Sequence, residues 1–158
     1  MTIDLIQNKA RPAQILLVED NPGDVILTQR ALRDSKISNN ITVAKTGEIA
    51  LEMLRKQGEY ADTPKPDLIW LDLNLPQMSG QDVLKIIKDD PLLKHIPVVI
   101  LSSSQATQDV VKSYSLHANG YVVKPANLES LGDVIRKLES FWFTLVVLPD
   151  ASDVAQAG

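Results

Sequence analysis

The sequence predicts an α/β protein: a doubly wound, five-stranded parallel sheet with helices on both faces. Three observations lead there. Short apolar runs bounded by turn residues recur along the chain, the pattern of fully buried strands. Segments with helical spacing alternate with them, five times over. The clearest run, Leu68-Ile69-Trp70-Leu71, stops dead on Asp72, and Asn74 and Pro76 bar it from continuing.

The elements follow in order. Residues 1–13 form a loose leader ending near Pro12. Ile15-Leu16-Leu17-Val18 is a strand that runs into Glu19-Asp20. Asn21-Pro22-Gly23-Asp24 is turn punctuation, with Pro22 suited to a first helical turn. Val25, Ile26, Leu27, Ala31 and Leu32 give a helix to about Ser35. Ile41 to Ala44 is a short strand, and Thr46 caps a helix carrying Ala50, Leu51 and Leu54 on one face. Gly58 to Pro66 is a polar loop. After the Asp72 strand and its loop to Ser79-Gly80, Val83, Leu84, Ile86 and Ile87 mark a third helix closed by Pro91. Pro97 precedes the strand Val98-Val99-Ile100-Leu101, and Ser102-Ser103-Ser104 follows it. Thr107, Val110, Val111, Tyr114 and Ala118 recur at helical spacing. Gly120 to Val123 is a fifth strand, stopped by Lys124-Pro125. Leu128, Leu131, Ile135, Leu138 and Trp142 describe the last helix with one apolar face. Crossovers between parallel strands are right-handed. The order 2-1-3-4-5 is one common solution for such a sheet, though periodicity does not select it.

Composition narrows the function classes. A chain of 158 residues holds one domain and a real core. Sixteen basic against twenty acidic residues leave a net charge of -4, which argues against a nucleic-acid-binding face. With no cysteine, disulfides, thiolate metal sites and a Cys nucleophile are excluded. No signal-peptide or membrane-spanning segment is evident, so a cytoplasmic protein is expected.

The chemistry gathers at strand ends. Glu19, Asp20 and Asp72 all lie at or just past the ends of parallel strands, hence on one edge of the sheet. Crowded carboxylates repel unless a cation joins them, and Mg²⁺, a hard ion taking oxygen ligands and keeping several waters, fits. Lys124 ends another strand at that edge and offers a compact positive charge for a phosphate oxygen. Ser102 offers a hydroxyl. Together these suit phosphoryl transfer, with an Asp as nucleophile. Taken singly, each residue has an ordinary reading: a strand-end acid as turn former or cap, the lysine as a solvated charge, the serines as a loop, His95 and His117 as surface or structural residues. Convergence of all of them on one edge favours the functional reading.

In order and spacing, four pieces of the chain resemble the receiver domain of two-component response regulators, a CheY-like, flavodoxin-like fold. They are Ile15-Leu-Leu-Val-Glu19-Asp20-Asn21, Leu71-Asp72-Leu-Asn74-Leu-Pro76 with Gly80, Pro97-Val-Val-Ile-Leu-Ser102, and Gly120-Tyr121-Val-Val-Lys124-Pro125. The resemblance covers about 14–140 and implies the 2-1-3-4-5 order. It implies that Asp72 accepts a phosphoryl group from a histidine kinase, and that Asp20, Asp72 and the Asn74 backbone carbonyl hold Mg²⁺, with Glu19 acting through water. It further implies Ser102 as switch hydroxyl, Tyr121 as switch aromatic turning inward on phosphorylation, Lys124 as phosphoryl ligand, and a cis bond before Pro125. Two positions depart from the family pattern: Ala126 stands where an aromatic is usual, and His117 where a glycine commonly precedes the fifth strand.

Residues 141–158 form a C-terminal extension. Its apolar part, Phe141-Trp142-Phe143-Thr144-Leu145-Val146-Val147-Leu148-Pro149, either folds back or covers a partner. A homodimer through Phe141, Trp142, Phe143, Leu145 and Val147 is expected. With Ser113-Tyr-Ser-Leu-His-Ala-Asn119, this segment resembles the stand-alone regulators paired with cyanobacterial phytochromes, implying a light-regulated kinase as donor. Other classes fit less well. A haloacid-dehalogenase-type phosphatase needs a second acid where Asn74 stands. A flavin or nucleotide module would find its phosphates repelled by Glu19-Asp20. A receiver-like interaction module that is never phosphorylated would lack some site residues, and none is missing.

Overall fold

The computed structural model describes residues 11–146, the side chain of Leu145 excepted. Five strands pair in parallel in the order β2-β1-β3-β4-β5: β1 (Ala13–Val18), β2 (Asn39–Ala44), β3 (Leu68–Leu71), β4 (Val98–Ser102) and β5 (Gly120–Val123). This is the expected sheet. Val18 pairs with Ala44 and Leu71, Leu71 with Ile100, and Ser102 with Val123. That register brings the carboxyl ends of β1, β3, β4 and β5 side by side.

Each strand alternates its side chains between two cores, as the period of two demands. Leu16, Val18, Ile69, Leu71 and Ile100 face one side, against α2 (Gly47–Leu54) and α3 (Gly80–Asp89) through Leu51, Leu54, Val83, Leu84 and Ile87. Ile15, Leu17, Leu68, Trp70, Val99 and Leu101 face the other, against α1 (Pro22–Arg33) and α5 (Leu128–Ser140) through Ala31, Leu32, Leu131 and Ile135. All four β3 residues are fully buried. Each such aliphatic side chain removed from water contributes roughly 1.5–3 kcal/mol to the driving force.

Side-chain caps set the helix starts. Asn21 Oδ1 accepts the Asp24 N–H at 3.1 Å, Thr46 Oγ1 the Ile49 N–H at 3.1 Å, and Ser79 Oγ the Asp82 N–H at 3.2 Å. Asn127 Oδ1 takes the N–H groups of Glu129 and Ser130. The fourth helix, α4 (Thr107–Ser115), has no side-chain cap, and its Val111 and Tyr114 are exposed rather than in a core stripe. α4 closes in a Schellman turn: Ala118 N–H reaches Ser113 O, His117 N–H reaches Tyr114 O, and His117 adopts φ 71°. That left-handed backbone explains why a glycine suits this position, and His117 fills it with its side chain in solvent.

β1 begins at Ala13, inside the expected leader and two residues before the apolar run Ile15–Val18, and Arg11 just ahead of it pairs with Asp67 at 3.0 Å. Leu128 is 61 % exposed, against the stripe its spacing suggested, because it is the first residue of α5 and lines the mouth of the cleft described below. At the other end of α5, buried Glu139 accepts hydrogen bonds from the Ser35 hydroxyl and from Asn39 Nδ2, tying the helix to β2 and to the end of α1. Burial pushes its carboxyl above the usual range, against those two bonds. The chain then makes a π-helical turn, Phe141–Leu145. Trp142 and Phe143 fold back on the α1/α5 core, while Phe141, edge-on to Trp142 at 5.9 Å, remains 49 % exposed. The expectations for Val147 and for residues 1–10 and 147–158 lie outside the described residues. Among the described residues no helix is long and apolar enough to cross a membrane.

Candidate functional site

The carboxyl edge of the sheet opens into a cleft of about 700 Å³ whose lining includes Glu19, Asp20, Asp24, Asp72, Asn74 and Lys124. β1 delivers Glu19 and Asp20, and β3 delivers Asp72. The main chain fixes them: Glu19 N–H bonds Ala44 O at 3.0 Å and Asp72 N–H bonds Val18 O at 3.1 Å, each extending a ladder by one step. Asp72 Oδ1 accepts the Asn74 N–H at 3.3 Å, and Glu19 Oε2 the Asn21 N–H at 3.2 Å. Lys124 N–H bonds Ser102 O at 2.8 Å, which aligns the ends of β4 and β5.

Carboxylate oxygens of Glu19, Asp20 and Asp72 lie within 4.8 Å of one another. Glu19 and Asp72 are buried and Asp20 faces solvent. An all-oxygen, acid-rich set with one open side suits a hard divalent cation. The cationic side chain among them is Lys124, whose ammonium bonds the Glu19 carboxylate, Asp24 at 3.0 Å and Asp72 at 3.4 Å. Burial alone would lower this ammonium, but the Glu19 hydrogen bond and the Asp72 charge outweigh it and hold it up at about 12. Burial raises the Glu19 carboxyl to about 7, and the Asp72 charge adds to that, with Lys124 pulling the other way.

A pH dependence follows. Between about 4.5 and about 7 the folded protein binds a proton at Glu19 that the unfolded chain has released, so Glu19 makes stability fall as pH rises through that window. The full effect is no more than about 3 kcal/mol. Denaturant titrations of the metal-free protein at pH 5 and pH 8 are expected to show this loss, and Glu19→Gln is expected to reduce it. An unchanged pH slope in Glu19→Gln would refute the assignment.

The remaining expected residues, Ser102 and Tyr121, lie on the adjacent strands β4 and β5 and are not among the described residues that line the cleft. Ser102 is fully buried at the end of β4, and its Oγ accepts the Ser104 N–H at 3.2 Å. Tyr121 is half-buried and already turned in, its hydroxyl donating to Ser104 O at 2.9 Å. One expectation fails. Among the described residues no peptide bond is cis, so the Lys124–Pro125 bond is trans. An X–Pro bond favours trans by about 0.5–1 kcal/mol, and the site assembles around Lys124 without the rarer isomer. Sequence reasoning also passed over Asp24, and it counted Gly80 in the family motif without a structural role. Asp24 read as part of a turn, yet its place in the first turn of α1 brings it to Lys124. Gly80 read as the end of a loop, yet α3 starts against the backbone of Asp72 and Leu73 there, with Gly80 N–H on Leu73 O at 2.9 Å.

Residues 15–136 match the response regulator receiver domain family. The response regulator Rcp1 of the cyanobacterium Synechocystis is 46 % identical over 140 residues, 89 % of this chain and 95 % of that protein. Crystal structures of the phosphorylated cyanobacterial phytochrome response regulator RcpA and of Rcp1 with Mn²⁺ superpose with TM-scores of 0.86 and 0.84, each at 45 % identity. They cover 89 % and 88 % of this chain, and all of theirs is matched. On fold, site geometry and sequence, the chain belongs to the response regulator receiver family.

Proposed function

We propose that the protein relays a signal by accepting a phosphoryl group on Asp72 from a histidine kinase, and that the kinase is a phytochrome. The observation that carries this reading is the setting of Asp72, a buried carboxylate at a strand end with the Lys124 ammonium at 3.4 Å and two further acids within 4.8 Å. The likeness to Rcp1 and RcpA supports the phytochrome donor.

An Asp72 oxygen attacks phosphorus in line, an O–P bond forms, and the P–N bond of the phosphohistidine breaks with its electron pair going to the imidazole nitrogen. Mg²⁺ held by Asp20, Asp72 and the Asn74 carbonyl, with Glu19 through water, would supply positive charge against the phosphoryl oxygens. Lys124 exchanges its Asp72 contact for a phosphoryl oxygen. The buried Ser102 hydroxyl turns to donate to another, giving up the Ser104 N–H. Tyr121 packs behind it, and the surface of α4, β5 and α5 changes in response. Water then hydrolyses the aspartyl phosphate. We assign the exposed Phe141 to a homodimer contact, with Trp142, Phe143, Leu145 and Val147 in the same segment, in a protein of the cytoplasm.

Incubation with acetyl phosphate and Mg²⁺, followed by intact mass, tests the acceptor. A phosphate-sized gain is expected in the wild type and none in Asp72→Asn. A gain retained in Asp72→Asn would move the acceptor elsewhere. Light-scattering molar mass with beryllofluoride, which binds the acceptor carboxylate in place of a phosphoryl group, tests the dimer; a monomer mass throughout would remove it.

A further inference from the structure

The two switch side chains meet at a single residue, Ser104, in the turn between β4 and α4. Its N–H donates to Ser102 Oγ at 3.2 Å, and its carbonyl accepts the Tyr121 hydroxyl at 2.9 Å. Its own hydroxyl donates to Asp109 Oδ2 at 2.6 Å and accepts the Ala106 N–H at 3.3 Å. The second oxygen of Asp109, Oδ1, faces Gln81 Nε2 on α3 at 3.4 Å. Ser104, Asp109 and Gln81 are all half-buried. The shortest of these bonds is the charge-assisted one, between hydroxyl and carboxylate, and such bonds are about twice as strong as neutral ones. The acceptor that keeps Tyr121 turned in is therefore placed by Asp109, from the first turn of a helix that has no side-chain cap of its own.

We propose that Asp109, acting through Ser104, is a latch that holds Tyr121 inward before any phosphoryl group arrives and so biases the receiver toward its activated arrangement. Asp109 is a positioning residue: its carboxylate grips the turn rather than the reacting atoms. The proposal rests on reading Ser102 and Tyr121 as the switch pair. Its physical content is a population shift. A contact present only when Tyr121 is in must raise the affinity of any ligand that also requires Tyr121 in. Without Asp109 the Ser104 turn relaxes, the phenol loses its fixed acceptor, and the ring populates solvent-facing rotamers. Binding of a phosphoryl group then has to restore the turn.

The test uses the full chain labelled with 3-fluorotyrosine, whose three positions are Tyr60, Tyr114 and Tyr121. Tyr121→Phe assigns the resonance. In the unliganded protein, Asp109→Ala and Ser104→Ala are each expected to move the Tyr121 signal toward that of exposed Tyr114. Asp109→Asn, which keeps an acceptor for the Ser104 hydroxyl, is expected to move it little. With Mg²⁺ present, beryllofluoride affinity is expected to fall about fivefold or more in Asp109→Ala, the scale of one charge-assisted hydrogen bond. In a Tyr121→Phe background the same substitution should change affinity by less than about twofold, because the bond that the latch serves is gone. Ser104→Ala leaves the α4 carboxylate in place, so its agreement with Asp109→Ala separates the latch from damage to the helix. An unmoved Tyr121 signal overturns the proposal, and so does an unchanged affinity in Asp109→Ala. Failure of the wild type to bind beryllofluoride would sink the phosphoacceptor reading instead, while the fluorine signal, which needs no ligand, still decides the latch.

Discussion

Gly80→Ala is expected to be the most damaging glycine-to-alanine change among the described residues. A Cβ at Gly80 would lie 2.7 Å from Leu73 Cα and 2.9 Å from the Asp72 carbonyl carbon, with the Asp72 carbonyl oxygen nearer still. These are backbone atoms of the two residues that follow β3, held by the Asp72 N–H bond to Val18, so no flexible side chain can give way. Overpacking of this kind costs roughly 1–3 kcal/mol, and a clash with backbone belongs at the top of that range. For a domain of this size that is a fall of about 6–12 °C in melting temperature. The start of α3 and the Asp72 carboxylate would have to separate, so phosphorylation should slow as well. Gly132→Ala is the control. Gly132 lies inside α5, and a Cβ there meets only the flexible end of Arg136 at 3.6 Å. Helix propensity then favours alanine, with a gain of about 0.5–1 kcal/mol. Thermal melts of the two variants should move in opposite directions. A Gly80→Ala protein as stable as the wild type would show that α3 is not seated on Asp72.

The same residues show what the sequence made legible. Strand ends were readable because Val18 and Leu71 are followed at once by acids, and an apolar run that stops on a charge can only be leaving a buried sheet. Strand order was not readable from periodicity, since any parallel arrangement buries such runs equally well; it came from the motif resemblance. β2 was legible only over Ile41 to Ala44, because Asn39 and Asn40 carry no apolar signal although they pair with Ala13 and Gln14. Asp24 was hidden by its neighbours: Pro22 and Gly23 account for a turn completely, and nothing local says that the next side chain will meet a lysine 100 residues away. The Ser104–Asp109 pair was hidden for a related reason. A serine run after a strand is ordinary loop chemistry until Tyr121 is known to lie across it. Leu128 was misplaced because helical spacing marks a direction, while its place at the first turn of α5 decides what that direction faces.

Apart from replacement of the acceptor Asp72 itself, Lys124→Met is expected to cost the most function among substitutions that leave the sheet intact. Lys124 is a buried ammonium surrounded by the carboxylates of Glu19, Asp24 and Asp72. In the phosphoryl-transfer reading it also offsets charge on the transferring group, and removal of one such donor costs about 10²–10³ in rate. Mass-detected phosphorylation by acetyl phosphate should slow by that factor, with Mg²⁺ unable to restore it. The variant should also be less stable without metal, and the deficit should depend on pH. Lys124 pulls the Glu19 carboxyl down to about 7; without it, burial and Asp72 push Glu19 higher. At pH 5 Glu19 is protonated in both folded proteins, so the variant loses only its pairs with Asp24 and Asp72. At pH 8 the wild type holds an ionised Glu19 against Lys124, whereas the variant must either bury that charge unpaired or take up a proton against the solution pH. The stability difference between the two proteins should therefore widen from pH 5 to pH 8. A difference that is constant across that range would mean that Lys124 does not neutralise Glu19, and the electrostatic account of the site would fail at its centre.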